Sequence, residues 1–90
     1  ELNNQDDSLF RFRGTIYINL NKYENALDDY SKAIELNNKD YELFKKRAFI
    51  YIQQEKYLRS KDDLSKAIEL NDKDYELFKL RGKISLEFEM

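Results

Sequence analysis

An all-α fold, built from antiparallel helical hairpins stacked as an α-solenoid, is the architecture this sequence predicts, on three observations. The heptapeptide Ser31-Lys32-Ala33-Ile34-Glu35-Leu36-Asn37 returns unchanged as Ser65-Lys66-Ala67-Ile68-Glu69-Leu70-Asn71. In that register, segments 7–40 and 41–74 are identical at more than half of their positions. The chain contains no Pro and only two Gly, and its apolar residues recur at three- and four-residue spacing, the period of a helix face and not of a strand. A fixed period of this length marks units that bury their apolar faces only by stacking on a neighbour.

Five helices follow from the pattern. The first runs from Asp7 to about Leu20, with Asp6, Asp7 or Ser8 placed to accept bonds from the free amides of its first turn. Asn21 tolerates the left-handed conformation that stops a helix. A second helix, Tyr23 to Leu36, carries Ala26, Leu27, Tyr30, Ala33 and Ile34 on one face. Asn37-Asn38 ends it and Asp40 caps a third, from Tyr41 to about Gln54. A fourth extends from Tyr57 to Leu70, and a fifth begins at Tyr75. Helices of about 14 residues joined by turns of about four force antiparallel neighbours. Glu55 stands where Asn21 stands one period earlier and accepts a positive φ less readily. The expectation is therefore a distorted second turn, or a third helix that runs on.

The implied domains are two full units, 7–40 and 41–74, followed by the first helix of a third unit at 75–90. Residues 1–6 match Glu35–Asp40 at five of six positions, so they read as the tail of a preceding unit, and the chain as part of a longer array.

Composition excludes several functions. The 16 basic and 18 acidic residues leave a net charge of −2, so no clustered basic excess awaits a phosphate backbone and no nucleic-acid partner is expected. With no Cys and no His, disulfides, thiolate nucleophiles, imidazole bases and the usual zinc ligands are all missing. No carboxylates form a recognisable acid–base pair. No catalytic residue, metal site or cofactor is therefore expected. No apolar run approaches the roughly 20 residues of a membrane span, so the expected location is cytoplasmic, without a membrane partner.

The residues resemble the tetratricopeptide repeat, a helix-turn-helix unit of about 34 residues, over essentially the whole chain. The family's first helix sets a bulky aromatic, a small residue and a Tyr in order. Here these are Phe10, Gly14 and Tyr17, then Phe44, Ala48 and Tyr51, then Phe78 and Gly82. Tyr23 and Tyr57 supply the Tyr near the turn. Ala26, Tyr30 and Ala33 match the second helix, and Ser60, Leu64 and Ala67 match it more loosely. Small residues let the paired helices approach while the large ones fill the space beside them. The sequence departs from the family pattern where Asn38 and Asp72 replace a common Pro, and where Asn21 and Glu55 replace a turn Gly. Arg13, Arg47 and Arg81 also replace a common aliphatic. Those arginines have two readings, a row for an anionic ligand or partners for Asp28, Asp29, Asp62 and Asp63. Their place beside the small contact residue favours pairing across the helices.

The resemblance implies a right-handed superhelix whose first helices line a concave surface that binds partner peptides. In register, that surface presents Arg11, Lys45 and Lys79 as one row, Thr15, Phe49 and Lys83 as a second, and Ile18 and Ile52, with Leu86, as a third. The implied function is a scaffold that binds an extended peptide or partner protein there. The family's carboxylate clamp for chaperone tails is expected to be absent. Arg11 fits it, but Thr15, Lys46, Glu76 and Leu80 stand where Asn, Asn, Lys and Arg are required. The alternative is self-association through helix 75–90, because Leu77, Phe78, Leu80, Ile84, Leu86, Phe88 and Met90 have no following helix to cover them.

Overall fold

The computed structural model describes residues 6–88, with the side chain of Phe88 excluded. Residues 1–5 of the tail of a preceding unit expected at 1–6, and Met90, lie outside the described residues. Five helices follow one another: α1 (Asp7–Asn19), α2 (Tyr23–Leu36), α3 (Tyr41–Gln53), α4 (Tyr57–Leu70) and α5 (Tyr75–Phe88). No strand occurs among the described residues. Contacts are densest within the α1–α2 and α3–α4 hairpins, and thinner where α3 meets α2 and α5 meets α4. The result is an elongated stack of 48 × 26 × 16 Å.

The caps explain the helix starts. Asp6, Asp40 and Asp74 each accept a bond from the backbone N–H two residues on, at 2.9, 3.0 and 3.1 Å, satisfying a donor that the first turn leaves free.

The two turns inside the hairpins are equivalent, and the expected distortion at Glu55 does not occur. Asn21 and Glu55 adopt φ of 60° and 61°. In both turns the residue that follows bonds back to a tyrosine carbonyl, Lys22 N to Tyr17 O and Lys56 N to Tyr51 O, each at 2.8 Å. Asn21 N and Glu55 N reach Ile18 O and Ile52 O at 2.9 and 3.0 Å. This is the paired closure of a left-handed C-terminal cap. The bonds, together with packing on either side, hold Glu55 in a conformation its side chain disfavours, so α3 stops where α1 does.

Within each hairpin, size is matched across the helices. A Cβ added to buried Gly14 would lie 2.8 and 2.9 Å from ring carbons of Tyr30, so the tyrosine occupies the space that glycine leaves. One period later the pair is Ala48 and Leu64, both buried in the next core cluster. Ser60 replaces Ala26 and stays satisfied while buried, donating to Ala48 O at 3.0 Å.

The arginines divide as their position suggests. Arg13 donates through Nε and Nη2 to Asp29 at 2.9 and 2.8 Å, and Arg47 grips Asp63 in the same way at 2.8 and 2.9 Å. Asp28 and Asp62 are exposed instead. Arg47 also donates through Nη1 to Ser31 Oγ at 3.2 Å, and Arg81 to Ser65 Oγ at 3.1 Å. The first residue of the repeated heptapeptide thus catches the arginine of the following hairpin.

One part of the self-association argument is corrected. Leu77 and Ile84 are buried in the core shared with α4, so they contribute nothing to an open surface. On α5, Phe78 and Leu86 are exposed large apolar residues.

Candidate functional site: the cleft on the inner helices

A concave cleft of about 360 Å³ is lined by Thr15, Ile18 and Asn19 from α1, Glu42, Lys45, Lys46 and Phe49 from α3, and Glu76 and Leu80 from α5. No residue of α2 or α4 contributes. The period explains why: successive first helices share one side of the stack, so equivalent positions of successive units become neighbours in space. Ile18, Phe49 and Leu80 supply apolar surface, and Phe49 is 42% exposed. Glu42, Lys45, Lys46 and Glu76 supply charge around it.

The structure brings four of the eight expected residues into this cleft, Thr15, Ile18, Lys45 and Phe49. Ile52 and Lys83 line a neighbouring hollow with Tyr57, Leu80, Ile84 and Glu87, where Ile52 is also packed against the core. Arg11 lies toward the α1 end, in a shallow surface with Ser8 and Phe12. Lys79 lies over the ring of Tyr75, 5.9 Å from its centroid.

Two cations of the first row, Arg11 and Lys45, already meet carboxylates. Arg11 contacts Asp7 at 2.8 Å and Asp40 at 2.6 Å. Lys45 contacts Asp74 at 2.8 Å and Glu76 at 2.9 Å. Asp40 and Asp74 are the cap residues of the next inner helix, so one carboxylate oxygen holds a helix start while the other holds the preceding hairpin. The hydrogen bond to Asp74 raises the Lys45 ammonium well above the ordinary lysine range, and the same bond lowers the Asp74 carboxyl. The sequence signal for these staples is a cation and an Asp that recur together at a separation of 29 residues, a pairing that a search for open binding rows passes over.

A second feature also escapes the sequence pattern. Tyr30 comes from an outer helix, yet its hydroxyl reaches Thr15 Oγ1 at 2.6 Å, passing through the gap that Gly14 leaves. Burial pushes the Tyr30 phenol upward. In the second hairpin Phe49 stands in place of Thr15 and Leu64 in place of Tyr30, so this polar pair has no counterpart there. The two substitutions change together at one period, which is the available signal for their contact.

Among the described residues, no group of three or more His, Cys, Asp or Glu is arranged to hold a metal ion. No described helix is long and apolar enough to cross a membrane.

The tetratricopeptide-repeat family models match residues 10–40 and 43–74. The chain belongs to this family. As a tetratricopeptide-repeat chain it also has counterparts in solved structures. The second TPR of Spaghetti (RPAP3) bound to HSP90 peptide SRMEEVD is 26% identical, with a TM-score of 0.85 over 92% of this chain and 77% of that one. YrrB, a TPR protein with an unusual peptide-binding site, is 25% identical, with a TM-score of 0.88 over 97% of this chain and 45% of that one. The second TPR domain of human RPAP3, in complex with HSP70 peptide SGPTIEEVD, is 25% identical, with a TM-score of 0.79 over 89% of this chain and 70% of that one. No curated protein sequence matches the chain.

Proposed function

We propose that this chain is a scaffold segment that binds an extended stretch of a partner protein across the inner faces of α1, α3 and α5. Residues 7–40 and 41–74 act as two repeats, and 75–90 as the first helix of a third. The observation that carries the reading is Phe49, a large, partly exposed apolar side chain in a concave cleft built from inner helices alone. An apolar side chain of the partner seats against Ile18, Phe49 and Leu80, and Thr15 offers a hydroxyl beside them. Ile52, Lys79 and Lys83 extend the contact along α3 and α5. The peptide complexes formed by the RPAP3 relatives support this use of the fold.

Clamp-type binding of acidic tails does not suit this cleft. Arg11 and Lys45 could take a partner's carboxylate only by giving up part of their present ion pairs. The role proposed is therefore binding through an apolar anchor, without catalysis and without a cofactor. Selection from a random peptide library tests it: recovered peptides should share an apolar anchor and lose at least tenfold in affinity to a Phe49→Glu variant with unchanged circular dichroism. Peptides that bind Phe49→Glu equally well would show that the cleft is not the site. The peptide SRMEEVD should bind neither form below the high micromolar range.

Self-association is a second reading, favoured by one observation. The α1 face carrying Leu9, Phe12, Ile16 and Leu20 is exposed, with Phe12 at 69%. The equivalents Leu43 and Ile50 are buried against the first hairpin. Light scattering across a concentration series would register a dimer, and Phe12→Glu would remove it.

A further inference from the structure

The polar groups of the inner cleft are not equally open to a partner, and their hydrogen bonds decide which are. Thr15 Oγ1 lies 3.0 Å from Arg11 O and 2.6 Å from the Tyr30 hydroxyl. Each hydroxyl has one proton, so both bonds form only if Thr15 donates to the carbonyl and Tyr30 donates to Thr15. The proton of Thr15 is thereby committed inward, and what remains on its exposed side is a lone pair. Burial, with smaller contributions from the charges of Asp29 and Glu42, raises the Tyr30 phenol, so it keeps the proton that fixes this direction. The charged groups point the same way. Arg11 is shared by Asp7 and Asp40, and Lys45 by Asp74 and Glu76, so each cluster sets two carboxylates against one cation. Glu42 lines the cleft with Thr15 and is exposed. Its backbone N–H serves the Asp40 cap, while no lysine or arginine among the described residues pairs with its carboxylate. Lys46 is the contrary charge, an exposed cation that stands between Glu42 and Phe49 along α3.

We infer, granting the inner cleft as the binding site proposed above, that the partner presents a cationic side chain, arginine or lysine, next to its apolar anchor, and that Glu42 and Thr15 receive it. A guanidinium or ammonium carries donors only. Glu42 supplies the opposite charge and two acceptor oxygens, and Thr15 supplies the lone pair that its inward bonds leave. Apolar surface from Ile18, Phe49 and Leu80 lies in the same cleft to cover the aliphatic stem. An acidic side chain in this place meets an acceptor at Thr15, a like charge at Glu42, and two cations each already held by two carboxylates. Selection therefore has a repulsive part as well as an attractive one. Lys46 sets the register, because it repels a cation on the Phe49 side. The basic residue accordingly lies toward the start of α3, and the anchor beyond it.

Random-library peptides selected on the full 90-residue chain test this assignment. Those that perturb the amides of Phe49 and Leu80 should carry Arg or Lys within about two residues of the apolar anchor, since alternate side chains of an extended peptide share a face. Replacing that basic residue by norleucine should weaken binding about threefold or more at low salt, and by less at about 0.5 M salt. Glu42→Gln should produce the same loss, and the two changes together should cost no more than either alone. The fold of Glu42→Gln should be retained, because the helix cap uses only the Glu42 backbone. Thr15→Val should also weaken binding, and Thr15→Ser should retain it. Cleft-bound peptides without a basic residue, equal affinity for Glu42→Gln, or a preference for acidic neighbours that Lys46→Met abolishes would each overturn the assignment while leaving the cleft as a binding site. Peptides that leave Phe49 and Leu80 unperturbed, or that bind Phe49→Glu equally well, would remove the cleft as the site and the assignment with it.

Discussion

Arg47 holds Asp63 through two nearly parallel hydrogen bonds of 2.8 and 2.9 Å, and the aspartate is almost completely buried where it does so. Its third contact, to Ser31, ties α3 to the preceding hairpin. A carboxylate in this position tolerates loss of its partner poorly, because the remaining charge is left desolvated. Arg47→Ala should therefore lower unfolding free energy by about 3–5 kcal/mol, measured by urea titration. Arg13→Ala should cost less, since the Arg13 side chain is 55% exposed against 21% for Arg47 and water more readily replaces it.

The Gly14–Tyr30 contact makes a prediction about paired substitution. Gly14→Ala gains about 1 kcal/mol of helix propensity, but forces a methyl against a ring held by Thr15 and fully buried. Overpacking of this kind costs about 1–3 kcal/mol, so a net loss of about 1 kcal/mol is expected. Adding Tyr30→Leu recreates the Ala48–Leu64 pairing of the second hairpin. A double-mutant cycle should then give a favourable coupling of about 1 kcal/mol or more; strict additivity would show that the two positions are not matched.

Glu55 gives a prediction of the opposite sign. Its φ of 61° costs a side-chain-bearing residue roughly 1–2 kcal/mol, and neither hydrogen bond of the turn uses its side chain. Glu55→Asn or Glu55→Gly should raise stability by about 1 kcal/mol, visible as a higher melting temperature. The reverse change, Asn21→Glu, should lower it.

The Lys45–Asp74 staple makes stability depend on pH at both extremes. The Asp74 carboxyl lies below its ordinary value near 3.8 because Lys45 donates to it. Its contribution is complete above that value and is lost as pH falls through the depressed one. The Lys45 ammonium lies above its ordinary value near 10.5 because it donates to Asp74. Its contribution is complete below 10.5 and disappears as pH rises through the elevated value. Denaturation profiles should therefore steepen below about pH 4 and above about pH 10.5, and Lys45→Met should flatten both limbs relative to the parent.

Much of this molecule is legible in one sequence because repetition supplies an internal comparison. The heptapeptide beginning at Ser31 and Ser65 reveals the period, and the small residues at Gly14, Ala26 and Ala33 reveal which helix faces meet. The second turn is not legible at Glu55, because local preference there is overridden by the two backbone bonds that close the turn. Arg11 and Lys45 look open to a ligand in the sequence, where Asp40 and Asp74 show only as helix caps. A cap aspartate has a second oxygen, and the stacking of hairpins brings that oxygen to a cation 29 residues earlier. The Thr15–Tyr30 contact is hidden for a related reason: it depends on a gap in a helix, which periodicity marks only as a small residue.

The proposal that an apolar anchor enters the inner cleft is tested most directly by amide NMR mapping of a library-selected peptide on the full chain. The predicted result is perturbation concentrated at Thr15, Ile18, Phe49 and Leu80, with the outer helices α2 and α4 largely silent. Perturbation confined to α2 and α4, with Phe49 and Leu80 unmoved, would contradict it.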